Sequence, residues 1–348
     1  MRTYEIQPFF FPTTVAVVDD SAAFLANLSL QLDSRLAFRL FQSPIDAVIA
    51  LNGGDAIAPE AEQFFSLYRN REDPTYAHDT YAHHVIDVSL DLIHREVHNE
   101  RRFEQVSVAV VDFDMPEIDG LELCRSIRNP AIRKILLTGK ADERVAVRAF
   151  NQGLIDRFIV KQDAEVIPTL NRAIGDMQLA YFGQIERMLS DALSIGSHTF
   201  LCDPVFAQRF REIREELGIV EHYLACTPDG VLMLDSSGTS YLLIVQTEEM
   251  MRASYEIAYD QAAPEALLTE LRSGRAVPYF WGTSGNYSPV YKNWRACLHP
   301  ATECRGKDWY VYAVVKNPAG FNLKYVSSYG EYLDRLDEEG REGIPGPT

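Results

Sequence analysis

Four polar positions in the first half of the chain stand directly after short apolar runs. Residues 15–18 (Val-Ala-Val-Val) end in Asp19 and Asp20, and residues 106–111 end in Asp112. Lys134 to Leu137 ends in Thr138, and Arg157 to Val160 ends in Lys161. Residues 15–18 have the length and branching of a buried parallel strand, and the other runs read as strands alongside it. Three carboxylates brought together repel unless a cation joins them, and an oxygen-only set of this kind suits Mg²⁺, which keeps several waters. One carboxylate could then attack a phosphorus atom. The metal and a lysine would neutralise the phosphoryl oxygens while a hydroxyl hydrogen-bonds another. Taken singly, an Asp-Asp pair at a strand end also reads as a helix N-cap. Taken together, all of them fall at strand ends, where open α/β sheets bind their ligands.

The elements between them support one fold. Ser21 onward reads as a helix with Phe24, Leu25, Leu28 and Leu32 on one side. Residues 36–41 read as a second strand and 44–52 as a second helix. Strands alternating with helices predict a five-stranded, doubly wound parallel α/β domain.

This pattern resembles the receiver (CheY-like) domain of the response regulators of two-component signalling. The likeness is carried by Val17-Val18-Asp19-Asp20-Ser21, Asp112-Phe113-Asp114-Met115-Pro116-Glu117-Ile118-Asp119-Gly120, Leu137-Thr138-Gly139 and Phe158-Ile159-Val160-Lys161. It covers 13–52 and 106–176, within a receiver domain placed at 13–176. The resemblance implies that Asp112 accepts phosphate from a histidine kinase or phosphotransfer protein. It implies that Asp19 and Asp20 bind Mg²⁺ together with Asp112 and the backbone carbonyl of Asp114. Lys161 would pair with the phosphoryl oxygens, Thr138 would swing to the phosphoryl group, and Phe158, at the aromatic switch position, would follow it inward.

Three departures from the family pattern matter. Gln162 stands where the family has a proline in a cis peptide, which puts the placement of Lys161 in question. Asp114 puts a second acid two residues past the acceptor, with Lys140 able to offset it, and this predicts an altered phosphoryl lifetime. The loop between the second helix and the third strand is also some fifty residues longer than usual.

That insertion, 53–105, holds five of the eight histidines: His78, His83, His84, His94 and His98. The spacing predicts one helix from Asp79 to Phe103 and a shorter one from Pro59 to Tyr68, a helical hairpin. His94 and His98, four apart, have the ligand types for a metal but lack further ligands. After the receiver, Ile167, Leu170, Ile174, Met177, Tyr181 and Met188 recur at three and four residues. That predicts a long connector helix at 165–196 with a coiled-coil-like seam, and homodimerisation along it, with packing against the C-terminal domain of the same chain as the alternative.

The second half, 197–340, reads as an α+β output domain, followed by a flexible tail at 341–348. A helix capped by Asp203 runs to about Leu217. Strands follow at 222–226, 231–234 and 240–245, then helices from Thr247 and Pro264. Further strands are predicted at 276–281, 296–299 and 309–315, with a last helix at 328–338. Antiparallel strands around central helices resemble a PAS-type sensory domain. Cys297, His299 and Cys304 have ligand types for zinc without a second paired motif. The loop Trp281 to Tyr287 is rich in glycine and aromatic residues.

Charge bounds the partners. The 348 residues carry 33 basic and 50 acidic side chains, a formal net charge of −17. Residues 1–196 hold 19 and 29, and 197–348 hold 14 and 21, so neither half offers a general grip on nucleic acid or anionic lipid. The helix from Phe206 to Leu217 carries Arg209, Arg211 and Arg214 among three glutamates. No apolar run reaches the ~18–20 residues that span a bilayer. Five scattered cysteines make no disulfide framework. With these bounds, the resemblance implies a cytoplasmic response regulator with a protein- or ligand-binding output. A DNA-binding regulator and a phosphorylation-controlled enzyme stand as alternatives.

Overall fold

The computed structural model describes residues 5–53, 65–68, 85–88, 91–139, 142–193 and 198–342. In chain order come β1 (Phe9–Phe10), β2 (Thr14–Val18), α1 (Ala22–Ser29), β3 (Phe38–Phe41) and α2 (Pro44–Gly53). The insertion supplies β4 (Phe65–Tyr68), β5 (Val85–Val88) and α3 (Asp91–Arg95). Then follow β6 (Val106–Asp112), α4 (Gly120–Ser126), β7 (Arg133–Thr138), α5 (Glu143–Asn151), β8 (Arg157–Val160) and α6 (Val166–Leu193). The second half runs α7 (Pro204–Leu217), β9 (Ile219–Cys226), β10 (Asp229–Asp235), β11 (Ser240–Thr247), α8 (Glu248–Asp260) and α9 (Glu265–Ser273). It closes with β12 (Ala276–Pro278), β13 (Leu298–Pro300), β14 (Thr302–Arg305), β15 (Trp309–Lys316) and α10 (Tyr329–Glu342).

The chain divides into two compact units. One comprises Phe11–Pro59, Glu100–Ile185 and Tyr329–Thr348; the other comprises Met1–Phe10, Glu60–Asn99 and Glu186–Ser328. In the first, five strands make a parallel sheet in the order β3-β2-β6-β7-β8. Every residue of β2 is buried, as a strand covered on both faces requires. The two-residue period of the strands then sorts their side chains. Ala16, Val18, Ala109, Val111 and Leu136 pack with α2, α4 and α5. Val15, Val17, Val108, Val110, Ile135 and Leu137 pack with Leu25 and Leu28 of α1 and Leu170 and Ile174 of α6. The doubly wound fold expected from the sequence is thus present, with strand bounds within two residues of those expected.

The same packing changes the reading of the connector. The long helix is there, but Leu170, Ile174 and Tyr181 of its seam are buried within their own unit, and Ile167 and Met177 pack against the same core. Phe182 meets Phe11 edge-on, ring centroids 4.9 Å apart. The apolar face up to Phe182 is therefore covered intramolecularly, where a dimer seam was expected.

The last helix also belongs to this unit. The Tyr332 hydroxyl lies 2.6 Å from Thr14 Oγ1, and the Tyr329 hydroxyl accepts from Ala37 N and donates to the Arg35 carbonyl. Both rings pack near Phe103.

The other unit is built on an antiparallel sheet in the order β1-β9-β10-β11-β15-β14. The meander β9–β11 and the helices α7, α8 and α9 lie where the sequence places them. Asp203 caps α7 and accepts from Val205 N and Phe206 N, and Thr247 caps α8. Strand β12 stops at Pro278, short of Trp281, and a 3₁₀ turn covers Trp281–Thr283. Strands β1 and β14 have no counterpart in the sequence reading.

The insertion is where expectation and structure part. It carries helical turns, α3 and the 3₁₀ segments Glu96–His98 and Arg102–Glu104. Among the described residues, neither the single helix over 79–103 nor the helix over 59–68 is present. Phe65–Tyr68 and Val85–Val88 instead form an antiparallel ladder, Phe65 opposite Val88 and Tyr68 opposite Val85. The β-branched run Val85-Ile86-Asp87-Val88 prefers that extended pairing to a helix, and the apolar spacing alone did not separate the two. His78, His83 and His84 lie outside the described residues. In the second unit α3 packs on β9, with Ile93 and Val97 fully buried.

Candidate functional site

The polar strand ends converge at the carboxyl edge of the parallel sheet. Asp19 follows β2, its N–H bonded to the Phe41 carbonyl, and its Oδ1 accepts from Ser21 N. Ser21 in turn caps α1 by accepting from Phe24 N. Asp112 is the last residue of β6, and Phe113 N donates to Leu137 O in the neighbouring strand. Lys161 follows β8, its N–H bonded to the Thr138 carbonyl. Buried strands leave these groups no freedom to separate.

The side chains of Asp19, Asp20 and Asp112 offer oxygens within 4.8 Å of one another. It is the one such cluster of three metal-ligating side chains among the described residues. Lys161 Nζ stands 2.6 Å from Asp19 Oδ2 and 2.9 Å from Asp112 Oδ1, and 4.5 Å from the centroid of the Phe24 ring. Burial pushes the Asp112 carboxyl above the usual carboxylate range and the Asp19 charge adds to this, while the Lys161 hydrogen bond and charge pull it back. Burial would lower the Lys161 ammonium, but its bonds to Asp112 and Asp19 outweigh this and hold it above its ordinary value. Three carboxylates facing one ammonium leave an excess of negative charge, and all the available donors are oxygens. That donor set fits a small hard divalent cation.

The remaining positions flank this cluster. Thr138 is fully buried, its hydroxyl donating to the Gly139 carbonyl at 3.1 Å. Phe158 is half-buried against the core formed with α4 and α5. Asp114 is exposed, and Lys140 lies outside the described residues. The sole cis peptide among the described residues is Thr227–Pro228. Lys161 therefore reaches both carboxylates through a trans bond to Gln162.

Gly120 explains the Asp-Gly pair that closes the motif begun by Asp112. A Cβ there would fall 2.1 Å from the Asp112 carbonyl oxygen, so only glycine lets α4 start against the end of β6. Asp119 caps that helix, accepting from Glu122 N at 2.8 Å. The sequence reading did not assign either residue a place in the site.

Other candidates dissolve on inspection. His94 ends α3 while His98 falls in a 3₁₀ turn, so they do not share one helical face. Cys297 and Cys304 are buried thiols pushed up by burial, and His299 lies against Tyr279. Along α7, Arg209 pairs with Glu212, Arg211 donates to Gln208, and Arg214 packs inward over Phe10 and Phe210. The helix presents no basic face.

Residues 89–170 match the family model of the response regulator receiver domain. The response regulator LqsR of Legionella pneumophila is similar in structure over 97% of this chain and 98% of its own, with 38% identity and a TM-score of 0.75. An adenylate cyclase of Rhodopirellula baltica matches 51% of this chain and 98% of its own at 19% identity, TM-score 0.35. A CheY-like receiver domain protein of Methanospirillum hungatei matches 50% of this chain and 98% of its own at 16% identity, TM-score 0.31. At those scores the last two carry no weight. No curated protein sequence matches the chain.

Proposed function

This chain belongs to the response-regulator family, and from that premise we propose that Asp112 accepts a phosphoryl group from a histidine kinase or phosphotransfer protein. One carboxylate oxygen attacks phosphorus, the phosphorus–nitrogen bond of the donor breaks, and the leaving imidazole takes up a proton. The observation that carries the reading is Lys161 Nζ held between Asp19 Oδ2 and Asp112 Oδ1. Such an ammonium keeps Asp112 ionised for attack and stands ready to pair with a phosphoryl oxygen afterwards. Asp19, Asp20, Asp112 and the carbonyl of Asp114 would hold Mg²⁺, which when bound neutralises the phosphoryl oxygens. Thr138 would exchange its bond to Gly139 for one to the phosphoryl group. Phe158, already half inside, would fill the space behind it.

The unit containing the antiparallel sheet is the proposed output, binding a small molecule or a protein. The inward Arg214 argues against a DNA-reading α7. No helix among the described residues is long and apolar enough to cross a membrane, and a cytoplasmic regulator is the proposal consistent with that. A second copy of the chain is also proposed as a partner, since α5 leaves Val145, Val147 and Phe150 exposed. The first test is incubation with a small phosphodonor and Mg²⁺, read by intact mass and light scattering beside Asp112→Ala. A phosphoryl adduct absent from the variant supports the assignment. An adduct that persists in the variant, or none in either, ends it. A monomer in both states removes the second copy.

A further inference from the structure

A cavity of about 260 Å³ opens beside the C-terminal end of β9 in the unit that holds the antiparallel sheet. Its walls come from three places in the chain. His94 and Arg95 stand at the end of α3, Thr227 follows β9, and Tyr279, Trp281 and Phe321 come from the segments after β12 and β15. Ile93 and Val97, fully buried, pin α3 and so fix where Arg95 sits. His94 stands edge-on to Phe321, ring centroids 5.6 Å apart. The Tyr279 hydroxyl donates to the Ala319 carbonyl and ties down the loop that carries Phe321. Gly320, at φ +99°, makes a bend that a side chain would strain.

In a chain of net charge −17, these walls offer two basic side chains and no carboxylate. A guanidinium and an imidazole stand beside the indole of Trp281, which is 55% exposed, and the ring of Phe321. We infer that this cavity binds a small aromatic carboxylate, its ring against Trp281 and Phe321 and its charge on Arg95. The volume lies just under the ~300–1,000 Å³ of drug-sized sites, which suits one ring with one charged substituent. A guanidinium favours carboxylate through paired N–H donors, and Thr227 adds a hydroxyl at the rim. The inference deepens the reading of this unit as an output module. It also gives the insertion a purpose: the segment that supplies His94 and Arg95 continues through two 3₁₀ segments to β6, which ends in Asp112.

Benzoate is the probe, titrated into the full chain and followed by tryptophan fluorescence and calorimetry. Saturable binding is expected, with the fluorescence change lost in Trp281→Phe. Arg95→Gln, an exposed position, should weaken binding about ten- to hundredfold, as loss of one charge-assisted hydrogen bond does. Benzamide, the neutral isostere, should bind wild type no better than benzoate binds that variant. Equal affinities for benzoate and benzamide, equal affinities for wild type and Arg95→Gln, or no saturable binding overturn the inference. Displacement of benzoate by equal inorganic phosphate overturns the aromatic class and leaves a plain anion site. Phosphodonor labelling of the same preparations separates the two failures: an adduct without benzoate binding sinks the cavity alone, whereas no adduct sinks the regulator reading.

Discussion

Asp112 is asked to stay ionised in a place where burial favours its neutral form, and Lys161 is what resists. The sign of the consequence is fixed by linkage. A carboxyl whose folded pKa lies above its unfolded value contributes stability below the unfolded value and loses it as pH rises through the folded one. Wild type at neutral pH has lost that contribution, whereas an amide never carries the charge. Asp112→Asn should therefore melt higher than wild type at neutral pH without added metal, and the gap should close as pH falls from the raised folded value to the ordinary carboxylate value. Thermal denaturation across pH checks this; a variant that melts lower at neutral pH contradicts the electrostatics assigned to the cluster. Mg²⁺ should reverse the order, since ligand at ten times its Kd adds about 1.4 kcal/mol to the state that binds it. Only wild type should gain. On the proposed phosphorylated form the exposed acid at Asp114 would add a negative charge two residues from Asp112 and raise the ground state, so Asp114→Asn should lengthen the phosphoryl lifetime severalfold. An unchanged dephosphorylation rate removes Asp114 from the account.

Among the elements, the strand ends were legible because buried parallel strands write themselves as short, mostly apolar runs, and the polar residue that closes each run marks the carboxyl edge. Asp19, Asp112, Thr138 and Lys161 follow from that alone. The α4 junction was not legible, because nothing in the types of Asp119 and Gly120 shows how near the helix start comes to the Asp112 carbonyl. That closeness makes Gly120→Ala a sharp test: the clash is with backbone, and overpacking of this kind costs about 1–3 kcal/mol or more. Urea denaturation reads it, and phosphodonor labelling of the folded fraction should slow as the acceptor loop shifts. The insertion failed for a different reason. Ile86, Leu90, Ile93 and Val97 fit a helical period, yet that spacing crosses a strand, a helical turn and a 3₁₀ segment. Period counting has no term for the partner Phe65–Tyr68, which lies too far along the chain to be seen in a window. The edge strands β1 and β14 were missed likewise: β1 has only two residues, and Thr302–Arg305 of β14 contains no apolar run.

The whole molecule is a nested chain. It passes between its two units five times, at 10/11, 59/60, 99/100, 185/186 and 328/329. A reading that divides the sequence into consecutive modules cannot see this, because long-range pairing leaves no local trace. The last return has the clearest energetic content. Tyr329 satisfies both Ala37 N and the Arg35 carbonyl, and Tyr332 shares a hydrogen bond with Thr14, so α10 completes the parallel-sheet unit at the starts of β2 and β3. A receiver cut at the end of α6 would bare these groups and Phe103. Tyr329→Phe leaves a buried amide and carbonyl without their partner, a loss of about 1–3 kcal/mol. Tyr332→Phe removes one hydroxyl from a pair and should cost less, about 0.5–1.5 kcal/mol. Deleting residues 329–348 should destabilise the unit that carries Asp112 by more than either substitution, although every phosphorylation residue remains. Hydrogen exchange at β2 and β3, compared among full chain, the two variants and the truncation, measures this locally. Protection that survives the truncation unchanged would show that α10 is a passenger. Graded loss would establish that the parallel-sheet unit is finished by residues reached only after the antiparallel-sheet unit has been traversed.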